Sequence, residues 1–113
     1  MRGQATPPTG IFRQVSAGNS HTCARRSDNS LACWGWNLWG QATPPAGSYK
    51  VVSAGGNHNC ARDGGNTLAC WGWNFFGQAT PPTGTYKQVS AGSNRTCAIR
   101  TDDFLTCWGD QVR

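Results

Sequence analysis

The chain has 113 residues, ten Lys and Arg against five Asp, no Glu and a net charge of +5, so hydrolysis by paired carboxylates has almost nothing to work with. Fifteen Gly and six Pro favour tight turns over long helices, and every apolar run is short and cut by Gly, Asn or Pro, which leaves no candidate membrane helix. The basic residues are scattered, Arg25-Arg26 being the one adjacent pair, and form no basic arm, so nucleic acid is not an expected partner.

Self-similarity organises the rest. Gly-Gln-Ala-Thr-Pro-Pro begins at Gly3, Gly40 and Gly77, Val-Ser-Ala-Gly at Val15, Val52 and Val89, and Cys-Trp-Gly at Cys33, Cys70 and Cys107, each step being 37 residues. A single repeat domain over 1–113 is expected, with units 3–39, 40–76 and 77–113. Met1–Gly10 has one Arg and no apolar stretch, and does not read as a secretory signal.

Within a unit the hydrophobic pattern has period two. In the first copy Phe12–Ala17 reads as a strand, ended by Gly18-Asn19. His21–Arg26 reads as a second strand, Ser27-Asp28-Asn29 as a three-residue turn, and Leu31–Trp36 as a third strand. A loop at Asn37–Gly40 follows, and Gln41–Pro44 is expected to form only a short fourth strand, because Pro44 and Pro45 supply no N–H to a ladder. Four short antiparallel strands per unit make the blade of a β-propeller, so the expected fold is all-β with three four-stranded blades. Ser-Ala-Gly is small in every copy and suits an innermost strand, where blades crowd the axis.

Each unit holds two Cys ten positions apart: Cys23 and Cys33, Cys60 and Cys70, Cys97 and Cys107. A three-residue hairpin loop needs a left-handed residue last, a place suited to Asn29 and Asn66 and tolerable for Asp103. With that turn Arg26 faces Ser30, Arg25 faces Leu31, Ala24 faces Ala32, and Cys23 faces Cys33 on a non-hydrogen-bonded pair, where side chains come closest. This geometry favours a disulfide, stabilising each blade by roughly 2–3 kcal/mol. The rival is zinc, since His21 and His58 stand two residues before a Cys; but Arg95 replaces the His in the third copy while both Cys remain. Disulfides are therefore expected, no metal or cofactor is, and the cysteine usage points to an extracellular or periplasmic protein. Asn94-Arg95-Thr96 matches the acceptor pattern for N-glycosylation.

The loop after the third strand carries Leu38 and Trp39 in one copy and Phe75 and Phe76 in the next, with Trp36 and Trp73 just upstream. Large aromatic residues in a polar loop favour a contact surface. The alternative for Trp36 and Trp73 is wedging between blades, and Trp34, Trp71 and Trp108, present beside a Cys in every copy, are expected to pack the blades. His21 and His58 are expected to be packed, hydrogen-bonded structural residues. Four of the Asp sit in or beside hairpin turns, and no catalytic constellation is present, so an enzyme is not expected.

His-Thr-Cys-Ala, a turn, then Cys-Trp-Gly-Trp-Asn-Leu-Trp-Gly-Gln resembles the regulator of chromosome condensation repeat, and the Gly-Gln-x-x-x-Pro continuation is similar to its bacterial propeller-type β-lactamase inhibitor branch. The family's Trp-Gly-x-Asn falls on Trp34, Gly35 and Asn37, and on Trp71, Gly72 and Asn74. The resemblance implies that Leu38-Trp39 and Phe75-Phe76, before Gly-Gln, present aromatics to a partner, and it adds Asn37 and Asn74 to the candidate binding set. Copy three departs from it, with Asp110, Gln111, Val112 and Arg113 in place of Trp-Asn-Phe-Phe.

The function expected is protein–protein binding or self-assembly. A secreted lectin holding carbohydrate on the loop Trp and Phe residues is the runner-up, and a purely structural self-assembling repeat the third reading. The family's propellers usually have seven blades and three cannot close a ring, so a homo-oligomer is expected: a dimer or trimer completing a ring, or a filament. In such an oligomer Gly3–Pro7 of another subunit would supply the fourth strand missing after Cys107-Trp108-Gly109.

Overall fold

The structure, a computed structural model, describes residues 9–35, 43–74 and 78–109. Among these residues the strands form three antiparallel sheets of three. The first holds β1 (Phe12–Ala17), β2 (His21–Arg26) and β3 (Leu31–Gly35); the second β4 (Val51–Ala54), β5 (His58–Arg62) and β6 (Leu68–Gly72); the third β7 (Tyr86–Ala91), β8 (Arg95–Arg100) and β9 (Leu105–Gly109). Strand order follows the sequence in every sheet, so each repeat closes its own blade.

The hairpins take the expected form. Arg26 N–H donates to Ser30 O and Asn29 N–H to Arg26 O, with Asn29 left-handed at φ 71°. Asn66 and Asp103 repeat the conformation at 69° and 78°. Asp28 Oδ1 accepts the Ser30 N–H at 3.0 Å, and Asp63 Oδ1 accepts those of Gly65 and Thr67, which fixes the turns locally. The turn sets the register, and the register places Cys23 opposite Cys33, Cys60 opposite Cys70 and Cys97 opposite Cys107. All three pairs are disulfides, with Cα atoms 4.0–4.1 Å apart.

The expected fourth strand is not formed among the described residues: each blade has three strands. Between the second and third sheets the reason is visible. Asn74 Oδ1 accepts the Ala79 N–H and Asn74 Nδ2 donates to Thr80 Oγ1, both at 2.7 Å, so the chain curls around Asn74. Pro81 and Pro82 follow and bring no N–H to a ladder. In the first copy the third strand ends at Gly35, and Trp36, Gln41 and Ala42 lie outside the described residues.

Period-two alternation gives each sheet two faces. On the first sheet Gln14, Ser16, His21, Cys23 and Leu31 point toward the second sheet, whereas the opposite face carries Val15, Ala17, Thr22, Ala24 and Trp34. The core sits between the blades. Cys23 and Leu31 pack on Tyr49, Val52 and Ala61, and one repeat later Cys60 and Leu68 pack on Tyr86, Val89, Ala98 and Trp108.

Candidate interaction surface

The junction between blades is built twice from the same parts. Asn29 O accepts the Tyr49 N–H, and Asn66 O accepts the Tyr86 N–H, both at 2.8 Å, tying each hairpin tip to the start of the next blade. Ser16 Oγ accepts the Ala54 N–H at 2.9 Å and Ser53 Oγ the Ala91 N–H at 3.0 Å. At the first junction the Gln14 amide also grips the exposed edge of β4, donating to Val52 O at 2.9 Å and accepting from Val52 N–H at 3.1 Å. A side chain here does what a neighbouring strand does in a sheet. The small residues of Ser-Ala-Gly permit this closeness. A Cβ on Gly18 would lie 2.3 Å from Gly55 O, and one on Gly55 would lie 2.3 Å from Gly92 O.

His21 and His58 complete the junctions. His21 Nε2 lies 2.8 Å from Asn59 Oδ1, and His58 Nε2 lies 2.8 Å from Thr96 Oγ1, with all four side chains buried. Thr96 Oγ1 donates to Gln78 O, so it accepts from the imidazole N–H. Both rings are therefore hydrogen-bonded structural groups, as the repeat pattern suggested. Burial holds the His58 imidazole at a pKa of about 4, with a smaller push from His21, and lowers the His21 pKa despite its bond to Asn59. The Nδ1 atom of each ring faces no partner among the described residues, so a proton added there would be a buried donor without an acceptor.

A consequence follows for acid stability. Between the folded value of about 4 for His58 and the ordinary value near 6.5, the unfolded chain binds a proton that the folded chain refuses. Stability is thus expected to be full above pH 6.5 and to fall as the pH drops from there toward 4. Thermal melts across this range should show the decline, and His58→Gln should flatten it while lowering stability at pH 7. A wild-type melting temperature that stays level or rises on acidification to pH 5 contradicts the assignment.

Among the described residues, the outward faces of the first and third blades are two halves of the same junction, both open. Val15 is 65% exposed, whereas its counterparts Val52 and Val89 are 1% and 7% exposed. Leu105 is 70% exposed, whereas Leu31 and Leu68 are 7% and 9% exposed. Around Leu105 a shallow groove is lined by Gln88, Ser90, Cys97 and Ile99. The first three are the third blade's counterparts of Gln14, Ser16 and Cys23, which meet the next blade, whereas Ile99 stands where Arg25 and Arg62 bond Asn29 and Asn66 of their own hairpins. Sequence reasoning expected two bare blade faces but named none of the residues on them. The signal was there: the third copy alone replaces the His by Arg95 and Arg25 or Arg62 by Ile99.

Of the residues expected to bind, Trp36, Asn37, Leu38, Trp39, Phe75 and Phe76 lie outside the described residues. Trp73 is half-buried, its backbone N–H donating to Asn57 O at 2.8 Å. Asn74 is exposed and organises its own loop through Ala79 and Thr80. Trp108 is buried and Trp71 packs partly buried against the first core, the blade-packing role expected of them. Among the described residues no three His, Cys, Asp or Glu side chains gather where a metal ion would sit.

The sequence pattern described as the Regulator of chromosome condensation (RCC1) repeat matches three times, over residues 12–41, 49–78 and 86–113. Among solved structures, the ectodomain of the Physcomitrella patens receptor kinase CR4 is similar at 25% identity and a TM-score of 0.79, covering 90% of this chain and 30% of its own. The CRINKLY WD40 ectodomain of the Arabidopsis thaliana receptor kinase ACR4 is similar at 29% identity and a TM-score of 0.72, with 89% and 37% covered. Yeast RCC1 (Prp20), solved bound to Kap60, shares the fold at 18% identity and a TM-score of 0.75, with 87% and 32% covered. The chain thus spans about a third of the length of each of these structures. No curated protein matches the chain significantly.

Proposed function

Because this chain belongs to the Regulator of chromosome condensation (RCC1) repeat family, we propose that it is a non-catalytic interaction module that works by assembling, and that its partner is another copy of itself met at the two open blade faces. One observation carries this reading: a junction used twice leaves its two halves uncovered on the outward faces of the first and third blades, each with an apolar residue that is buried at the equivalent places. The three disulfides support an oxidising setting outside the cytoplasm, and two of the similar structures are receptor ectodomains. The loop aromatics Trp36, Leu38, Trp39, Phe75 and Phe76 remain a second proposed contact, for a different protein.

Oxidative footprinting tests the main reading with controls inside the molecule. At tens of micromolar protein, Val15 and Leu105 are expected to be labelled as weakly as Val52 and Leu68. Labelling of Val15 and Leu105 at the level of fully solvated side chains, with Val52 and Leu68 protected, contradicts it.

A further inference from the structure

Resting on the reading that the chain self-associates, we infer the polarity and the contacts of that association: the front face of the third blade seats on the back face of the first blade of a second copy, head to tail. The inference comes from carrying each internal contact forward by one repeat. Gln14 grips the Val52 edge at the first junction; Val51 holds that place at the second, and Gln88, two repeats on from Gln14, restores the amide, exposed, with the equivalent edge at Val15. Ser16 and Ser53 accept the Ala54 and Ala91 N–H groups, and exposed Ser90 faces the same task toward Ala17. Asn29 and Asn66 offer their carbonyls to Tyr49 and Tyr86, and Asp103, held in the same left-handed conformation, offers its own to Phe12.

The apolar parts match as well. Cys23 and Leu31 receive Tyr49 and Val52, so Cys97 and Leu105 would receive Phe12 and Val15. The third blade's front face is more apolar than the two inside the chain, since Ile99 replaces Arg25 and Arg62 and exposed Phe104 replaces Ser30 and Thr67. Arg95 is the one clear mismatch: it stands opposite Thr22, where the inner junctions bury a His against Asn59 or Thr96. Its charge reaches solvent at the inner rim, so the intermolecular junction is wetter there than the internal pair.

Front and back faces differ, so neither is complementary to itself, and the contact is heterologous. Two such junctions close a six-bladed ring from two chains, within the usual range of about four to eight blades, whereas three chains would give nine. The second copy is thus the occupant, and the dimer the closed form.

Single-face variants test the polarity. Val15→Lys spoils the back face and Leu105→Lys the front face, at positions exposed within one chain, so each variant should fold with all three disulfides and an unchanged far-UV circular dichroism spectrum. Light scattering coupled to size exclusion should then find a wild-type dimer and each variant alone as a monomer. Mixed together, the two variants should recover a 1:1 dimer that grows no further, because one good junction remains and both remaining faces are blocked. Gln88→Ala is the gentler change and should weaken the wild-type dimer by about tenfold or more, the value of one or two lost hydrogen bonds. A wild-type monomer overturns the self-association reading itself. A wild-type dimer with either lysine variant still dimeric, or a mixture that stays monomeric, leaves self-association standing and overturns the head-to-tail contact.

Discussion

Replacing Trp108 with alanine is expected to lower the unfolding free energy by about 3–5 kcal/mol. The indole is buried between the second and third blades, in one core with Cys60, Leu68, Tyr86, Val89 and Ala98. Its ring lies tilted 6.0 Å from that of Tyr86, and its Nε1–H donates to Gln78 O at 3.1 Å. Truncation therefore removes apolar contact, leaves a cavity the disulfide-tied sheet is poorly placed to close, and takes away one of the two donors at the buried Gln78 carbonyl, the other being Thr96 Oγ1. Trp34, on the open back face of the first blade, is only half-buried and lies 6.4 Å from Phe12. In dilute protein Trp34→Ala should cost clearly less than Trp108→Ala, as read by chemical denaturation. Equal losses at concentrations where the chain is monomeric would contradict the packing described.

Gly55 and Gly92 should respond to the same substitution in opposite ways. A methyl group on Gly55 would sit 2.3 Å from Gly92 O and 2.8 Å from the His58 ring, so Gly55→Ala forces two blade backbones apart. Overpacking of this kind typically costs about 1–3 kcal/mol, and backbone on the far side gives less than a side chain would. A methyl group on Gly92 meets nothing nearer than Arg95 O at 3.3 Å, because no further blade covers it among the described residues. Gly92→Ala should therefore fold almost normally and fail to assemble, since its methyl would meet Gly18 O of the second copy. Melting curves should separate the two variants, and sedimentation should show the Gly92 variant as a folded monomer. A fully assembled Gly92→Ala protein contradicts the junction proposed.

Much of this was legible in the sequence, for identifiable reasons. The strands Phe12–Ala17 and His21–Arg26 were readable because alternation has an unambiguous period and Gly18-Asn19 and Asp28-Asn29 are strong breakers. The disulfide register followed from turn length, because a three-residue loop with left-handed Asn29 leaves one way to count outward to Cys23 and Cys33. The fourth strand was misread because Pro81 and Pro82 limit a strand without excluding it, and the choice was made by Asn74, whose side chain takes the Ala79 N–H. Which blade face meets which was also hidden. A 37-residue period says that Gln14 and Gln88 are equivalent, but not that Gln14 reaches Val52 rather than a residue behind it. The loop aromatics Trp36, Trp39, Phe75 and Phe76 lie outside the described residues, and their role is a proposal from composition.

The mass of the wild-type particle under native conditions tests the account most directly. At micromolar concentration, native mass spectrometry should find a disulfide-intact dimer of about 24 kDa, twice the 12.1 kDa chain, as the dominant species. A folded, disulfide-intact species at 12.1 kDa that persists as the concentration is raised would contradict it, because both apolar end faces would then be stable in water.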